Sequence, residues 1–248
     1  MRGLRAAIDR WMSLREDRRR YSTNDRWPFY EVAARYLPTD TAAVILDIGP
    51  GDGGFVDRFA HARPHVHLLE GNPATAAALR LRHAHVIDYK APGRLPFPDA
   101  SVTFIHCSHV VEHLEHQALY DLLQEVDRVL RPAGVLVIST PLLWEGFYAD
   151  LSHVKPYNPE VFRRYLGEVT GSRSANVVAH GYETVDVTYR YATRVVMESV
   201  GASSWPVDLL LRALSSVVWR LGIRAFVPNG YTLVMRKPSG GETPHGAA

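Results

Sequence analysis

One segment constrains the fold of this chain more than any other: an apolar run that ends in glycines. Ala42-Ala43-Val44-Ile45-Leu46-Asp47-Ile48 shows no polar alternation and closes on Gly49-Pro50-Gly51-Asp52-Gly53-Gly54. A continuous apolar strand is buried on both faces, which puts it inside a parallel sheet covered by helices. The stretches that follow alternate in the same manner. Strands are expected at 65–70, 84–88, 102–107 and 135–140, with helices at 73–82 and 112–130 and a turn-rich link at 91–99. Arg131-Pro132-Ala133-Gly134 should stop the second of those helices. Five strands joined this way read as a doubly wound parallel α/β sheet.

The flanks read differently. Leu4, Ile8, Trp11 and Leu14 or Arg15 recur at helical spacing, so a basic helix is expected over 4–20. Trp27-Pro28 should break it, ahead of a short helix at 29–37 that ends at Pro38. After Pro141 come a long aromatic loop (141–158), a helix (159–166), a strand (184–191), an apolar-faced helix (207–221) and a last strand (231–235). The organisation expected is an N-terminal helical cap (1–40), a main domain (41–237) with a substrate loop (141–158), and a disordered tail (238–248).

Composition removes several classes. With 46% hydrophobic and 10% aromatic residues, the chain can fill a core and is not disordered. The single cysteine, Cys107, excludes a disulfide scaffold. A net charge of +2 gives no reason to expect nucleic acid. No apolar stretch approaches the ~20 residues of a membrane span, and Arg2, Arg5, Asp9 and Arg10 do not resemble a secretory leader, so a cytoplasmic protein is expected.

Gly49, Gly51 and Gly54 satisfy the spacing of a dinucleotide fingerprint. Asp47 and Asp52 argue against a pyrophosphate at that turn, because a carboxylate there repels phosphate. Asp47-x-Gly49-x-Gly51-x-Gly53 better suits a cationic ligand without phosphate, such as S-adenosylmethionine (SAM). About 20 residues on, Glu70-Gly71-Asn72 ends the second strand, where a carboxylate can accept from ribose hydroxyls. Asp88 ends the third strand and can accept from an adenine amino group, with Ile87 or Tyr89 on the adenine face.

Taken together, 44–55, 68–72, Asp88, Leu95-Pro96-Phe97-Pro98-Asp99, Ser108-His109-Val110-Val111-Glu112-His113 and Arg128-Val129-Leu130-Arg131-Pro132 resemble the class I SAM-dependent methyltransferases, in the family's order across 42–140. They are similar to the subgroup that includes small-molecule and sugar methyltransferases. The resemblance implies a Rossmann-like, seven-stranded, mostly parallel sheet with an antiparallel last strand. It implies Asp47, Gly49, Gly51 and Gly53 at the methionine end, Glu70, Gly71 and Asn72 on ribose, Asp88 and Tyr89 on adenine, and His106 or its neighbour beside the cofactor. Pro50 and Asp52 depart from the commoner residues of the family.

His109-x-x-Glu112-His113-x-x-His116 formally matches an inverted zinc-protease pattern, and on a helix the three histidines would share a face. The expectation is a site without a metal, with Glu112 and His113 packing a helix start; a divalent ion such as Mg²⁺ holding substrate hydroxyls is the alternative. The loop after the fifth strand holds Trp144, Phe147, Tyr148, Asp150, His153 and Tyr157. Such a loop lies over the carboxyl ends of the strands, where ligands bind. Asp150-x-x-His153-x-x-Pro156-Tyr157 resembles a segment of methyltransferases from glycan and glycolipid pathways.

The reading is therefore an O-methyltransferase acting on a sugar hydroxyl of a glycan, glycolipid or natural product. His153 is the expected general base and His109 the second choice, with Asp150 a further candidate catalytic residue. The alternatives are N- or C-methylation of a small metabolite, a non-catalytic SAM-fold module, and an NAD-dependent oxidoreductase. The two amphipathic segments, 4–20 and 207–221, are read as a lid helix and a dimer or core helix, or as peripheral contacts with an anionic membrane.

Overall fold

The computed structural model describes residues 18–60, 63–167, 176–195, 205–220 and 224–239. In chain order these form α1 (Trp27–Ala34), β1 (Ile45–Ile48), α2 (Gly54–Phe59), β2 (Val66–Glu70), α3 (Pro73–Arg80), β3 (Val86–Asp88), β4 (Val102–Ser108), α4 (His116–Val129), β5 (Leu130–Pro141), α5 (Pro159–Phe162, prolonged as a π turn over Arg163–Gly167), β6 (Glu183–Val195), α6 (Trp205–Arg220) and β7 (Arg224–Arg236). One seven-stranded sheet runs in the order β3-β2-β1-β4-β5-β7-β6. Strands β1 to β5 pair in parallel, and β7 lies antiparallel to β5. The sheet thus has the doubly wound α/β architecture with an antiparallel β7.

The chain divides into two compact units. The larger comprises 29–188 and 230–248, and the smaller 1–28 and 189–229. Within the larger unit, β1 and β4 are buried along their whole length, as an unalternating apolar strand requires. Helix α4 buries Leu119, Leu122, Leu123, Val126 and Val129, a single face at helical spacing. Two Asn-Pro pairs start helices by one device. The Asn72 side chain accepts from the amides of Ala74 and Thr75 to cap α3, and Asn158 accepts from Val161 to cap α5. The following proline occupies the first turn, where its missing N–H costs nothing.

Several boundaries differ from expectation. Trp27-Pro28 begins a helix instead of breaking one, because proline suits the first helical turn. Glu112 does not start a long helix. Val111–His113 is a single 3₁₀ turn, Leu114 and Glu115 are extended, and α4 begins only at His116. His109, His113 and His116 therefore do not share a helical face. Strand β5 already starts at Leu130, and the expected helix stop at Arg131-Pro132-Ala133-Gly134 is its first part. Of the basic helix expected over 4–20, only Arg18–Arg20 fall among the described residues, and these are helical. Most of the expected tail also lies outside them.

Arg128 ties the 95–99 loop to α4. Its guanidinium donates to the carbonyls of Leu95 and Phe97 (both 2.9 Å), to Asp99 (2.7 Å) and to both oxygens of Glu125 (2.6 and 3.0 Å). In the smaller unit, the Tyr191 amide donates to the Tyr21 carbonyl (2.9 Å), and the Arg18 guanidinium lies 5.9 Å from the Tyr191 ring. Helix α6 carries an Arg212–Asp208 pair at 2.7 Å, and Trp205, Leu209 and Leu210 are largely exposed. Among the described residues no helix is long and apolar enough to cross a membrane.

Candidate active site

The glycine turn between β1 and α2 has the shape its sequence implies. Gly49, Gly51 and Gly53 all adopt positive φ (69°, 58° and 84°), the left-handed region that side chains disfavour. A Cβ on Gly49 would lie 2.3 Å from Cγ2 of Val110, so the turn is also closed to side chains by the segment after β4. One oxygen of Asp52, Oδ1, accepts from the Gly54 amide at 3.1 Å. This narrow, side-chain-free cradle fits a ligand bound through backbone groups.

Asp47 and His106 lie opposite each other in the β1–β4 register. Both are 1% exposed, and Asp47 Oδ1 meets His106 Nδ1 at 2.8 Å. The His106 ring stacks on Phe55 (4.1 Å) and meets the edge of Tyr30 (5.8 Å). His106 is thus a buried partner of Asp47, held by aromatics that sequence reasoning did not place there. Asp47 Oδ2 and His106 Nε2 are buried with no hydrogen-bond partner among the described residues.

On the neighbouring strands, Glu70 Oε1 accepts from the Asn72 amide at 2.8 Å, which leaves its second oxygen for a ligand. Gly71 and Asn72 are exposed beside it. Asp88 is ion-paired with Arg80 at 2.7 Å, and both side chains are well exposed. Tyr89 is buried in the core and donates to the Gly93 carbonyl at 2.7 Å, so its ring packs inward, and the neighbouring half-buried side chain is Ile87.

The segment after β4 brings the histidines together. His109 has φ 57°, and its amide donates to Ser139 O at 2.8 Å. A left-handed histidine is uncommon, and such strain concentrates at functional positions. The His109 ring pairs through Nδ1 with Glu112 Oε1 at 2.9 Å. Glu112 is fully buried, and its other oxygen accepts from Thr140 Oγ1 at 3.1 Å. Burial pushes the Glu112 carboxyl up, but the hydrogen bond and charge of His109, helped by His113, outweigh it and leave the group below its ordinary value.

The loop after β5 folds against this segment. The Glu112 carbonyl accepts from the amides of Val154 (2.8 Å) and Lys155 (3.2 Å). His113 Nδ1 bonds the Ser152 carbonyl (2.9 Å), and His153 Nδ1 bonds the Phe147 carbonyl (2.7 Å). Asp150 is held by the Ser152 hydroxyl and amide, which lowers its pKa, and its Oδ2 lies 3.9 Å from His153 Nε2. Sequence reasoning missed Thr140, Val110 and the carbonyls of Phe147 and Ser152, because no linear pattern marks a backbone acceptor.

Known proteins resemble this chain in sequence and in fold. A methyltransferase-domain family profile matches residues 46–138. A probable SAM-dependent methyltransferase of Mycobacterium tuberculosis is 36% identical over 192 residues, which cover 72% of this chain and 68% of that protein. The chain belongs to the SAM-dependent methyltransferases. Another probable SAM-dependent methyltransferase, from Mycolicibacterium smegmatis, is 40% identical over 98 residues, 39% of this chain. That match spans only 37% of the relative's length. A probable pectin methyltransferase of Arabidopsis thaliana is 35% identical over 148 residues, 51% of this chain and 22% of that protein. The crystal structure of a SAM-dependent methyltransferase from Archaeoglobus fulgidus superposes with a TM-score of 0.59 at 20% identity, covering 92% of this chain and 99% of that one, which shows the common fold.

Proposed function

We propose that this methyltransferase acts on a hydroxyl of a sugar, in a glycan, glycolipid or natural product, with His109 as general base. The observation that carries the reading is the His109–Glu112 couple. When bound, SAM supplies an electrophilic methyl group on a sulfonium. A hydroxyl acceptor must also lose its proton as the oxygen attacks, and a positioned imidazole is suited to receive it. Glu112 accepts the Nδ1 proton of His109, which fixes the tautomer and leaves Nε2 as acceptor. His109 is part-exposed at the carboxyl end of β4, where open α/β sheets bind ligands. His153 is the second choice, because among the described residues no carboxylate lies within hydrogen-bond distance of it; Asp150 is 3.9 Å away.

Gly49, Gly51, Gly53 and the free oxygen of Glu70 would hold SAM, with Asp47 beneath the turn. Two things support a sugar acceptor. The loop after β5 exposes Trp144 and Tyr148 beside Asp150, which suits stacking on sugar faces and bonding to hydroxyls. A relative bears the name of a pectin methyltransferase. The test is His109→Ala in a sugar-acceptor screen. Turnover should fall ~10²–10⁴-fold with S-adenosylhomocysteine binding retained. Retention of more than about a tenth of wild-type turnover would refute the base.

A further inference from the structure

We propose that Glu112, His113 and His153 form a binding site for one divalent first-row transition-metal ion. The three side chains each offer a ligand atom, and these atoms all lie within 4.8 Å of one another. The residues come from two loops, the 3₁₀ turn after β4 and the loop after β5, and are brought together only by folding. A tetrahedral ion with bonds of ~2.0–2.1 Å holds its ligand atoms roughly 3.4 Å apart. Small side-chain rotations close the difference.

The surroundings are those of a supported ligand set. His113 donates Nδ1–H to the Ser152 carbonyl, and His153 donates Nδ1–H to the Phe147 carbonyl. Carbonyls accept only, so both rings are fixed in the tautomer whose lone pair is on Nε2. Ligating histidines are oriented in this way, through the nitrogen that does not bind the ion. The two rings lie side by side with centroids 5.1 Å apart. With both Nδ1 atoms protonated, each neutral ring has an Nε2 lone pair to offer a cation. Glu112 is fully buried, oriented by His109 and Thr140, and each of its oxygens keeps a further lone pair. The loops are cross-tied by Val154 and Lys155 to the Glu112 carbonyl, so the ligands are arranged before any ion arrives.

The donor set selects the ion. Mg²⁺ and Ca²⁺ take oxygen ligands, whereas two imidazoles and one carboxylate suit Zn²⁺, Co²⁺, Fe²⁺ or Ni²⁺. Mg²⁺ is therefore not the ion this cluster fits. Three protein ligands leave a position open. If the reading as a sugar methyltransferase holds, that position would take acceptor oxygens; ion binding itself does not depend on it.

The experiment is a Co²⁺ titration of the full, tag-free chain after chelator treatment, followed by visible absorbance, with Zn²⁺ as competitor. Wild type should bind one Co²⁺ per chain with a d–d band that Zn²⁺ abolishes. His113→Ala and His153→Ala should each weaken binding at least tenfold, and His116→Ala, outside the cluster, should not. S-adenosylhomocysteine binding, unchanged in the variants, reports that they fold. Absence of saturable binding by the wild type, or wild-type affinity in His113→Ala and His153→Ala, would overturn the site. Co²⁺ binding that survives in an inactive His109→Ala separates this proposal from that of the base.

Discussion

Gly49→Ala probes the glycine turn through two costs that can be separated. A side chain at φ 69° costs about 1–2 kcal/mol against the right-handed region. The new Cβ would also lie 2.3 Å from Val110 Cγ2, an overlap that moves one of the two segments. Overpacking of this kind costs typically ~1–3 kcal/mol. Alanine restricts the unfolded chain more than glycine does, which returns roughly 0.4–1 kcal/mol. The net expectation is a destabilisation of about 1.5–4 kcal/mol, a large part of the ~5–15 kcal/mol that holds a typical domain together. Urea unfolding should show the midpoint falling by about 0.5 M or more for a slope of ~1–3 kcal/mol per molar. Gly49→Ala/Val110→Ala, compared with Val110→Ala alone, removes the overlap and keeps the backbone cost. The alanine should therefore cost only about 1 kcal/mol in that background. Equal midpoints for Gly49→Ala and wild type, with unchanged S-adenosylhomocysteine affinity, would refute the reasoning. So would the same penalty with and without Val110.

Two further outcomes follow from the Arg128 hub. Arg128→Met removes a donor from the Leu95 and Phe97 carbonyls and from Glu125, of which the Leu95 carbonyl keeps the Phe97 amide and Glu125 keeps the Leu95 amide, so stability should fall by ~1–3 kcal/mol in thermal or urea unfolding, and proteolysis should open first within the 91–100 loop. The Glu125 carboxyl is held below its ordinary 4.5, first by the Arg128 hydrogen bond and also by the Leu95 amide, against the opposing effect of burial. A depressed carboxyl stabilises above its unfolded pKa and loses that contribution as pH falls through its folded value. Glu125→Gln should therefore be less stable than wild type at pH 7, and the gap should narrow below about pH 4.5; a gap that widens on acidification would contradict the assignment.

Much of this protein is local in origin. The unalternating run before Gly49 marks a strand buried on both faces, and the spacing of Gly49, Gly51 and Gly53 demands a turn that only residues without Cβ adopt easily. Asn72-Pro73 and Asn158-Pro159 carry their helix starts within a few residues. These features depend on the backbone and immediate neighbours, so they can be read one residue after another. The histidine segment could not be read that way. Its pattern matches a helical face, yet a left-handed His109 and the extended Leu114-Glu115 dissolve that helix.

Packing decided which partner each functional group met. The β1–β4 register set His106 against Asp47, and Phe55 stacked over it. Tyr89 turned into the core, where its ring is buried. The loop after β5 set His153 beside His113, while Glu112 found Thr140 at the end of β5. Those pairings join residues 28 to 59 positions apart. They follow from strand order and from the need to satisfy buried polar groups, neither of which any short stretch of sequence contains.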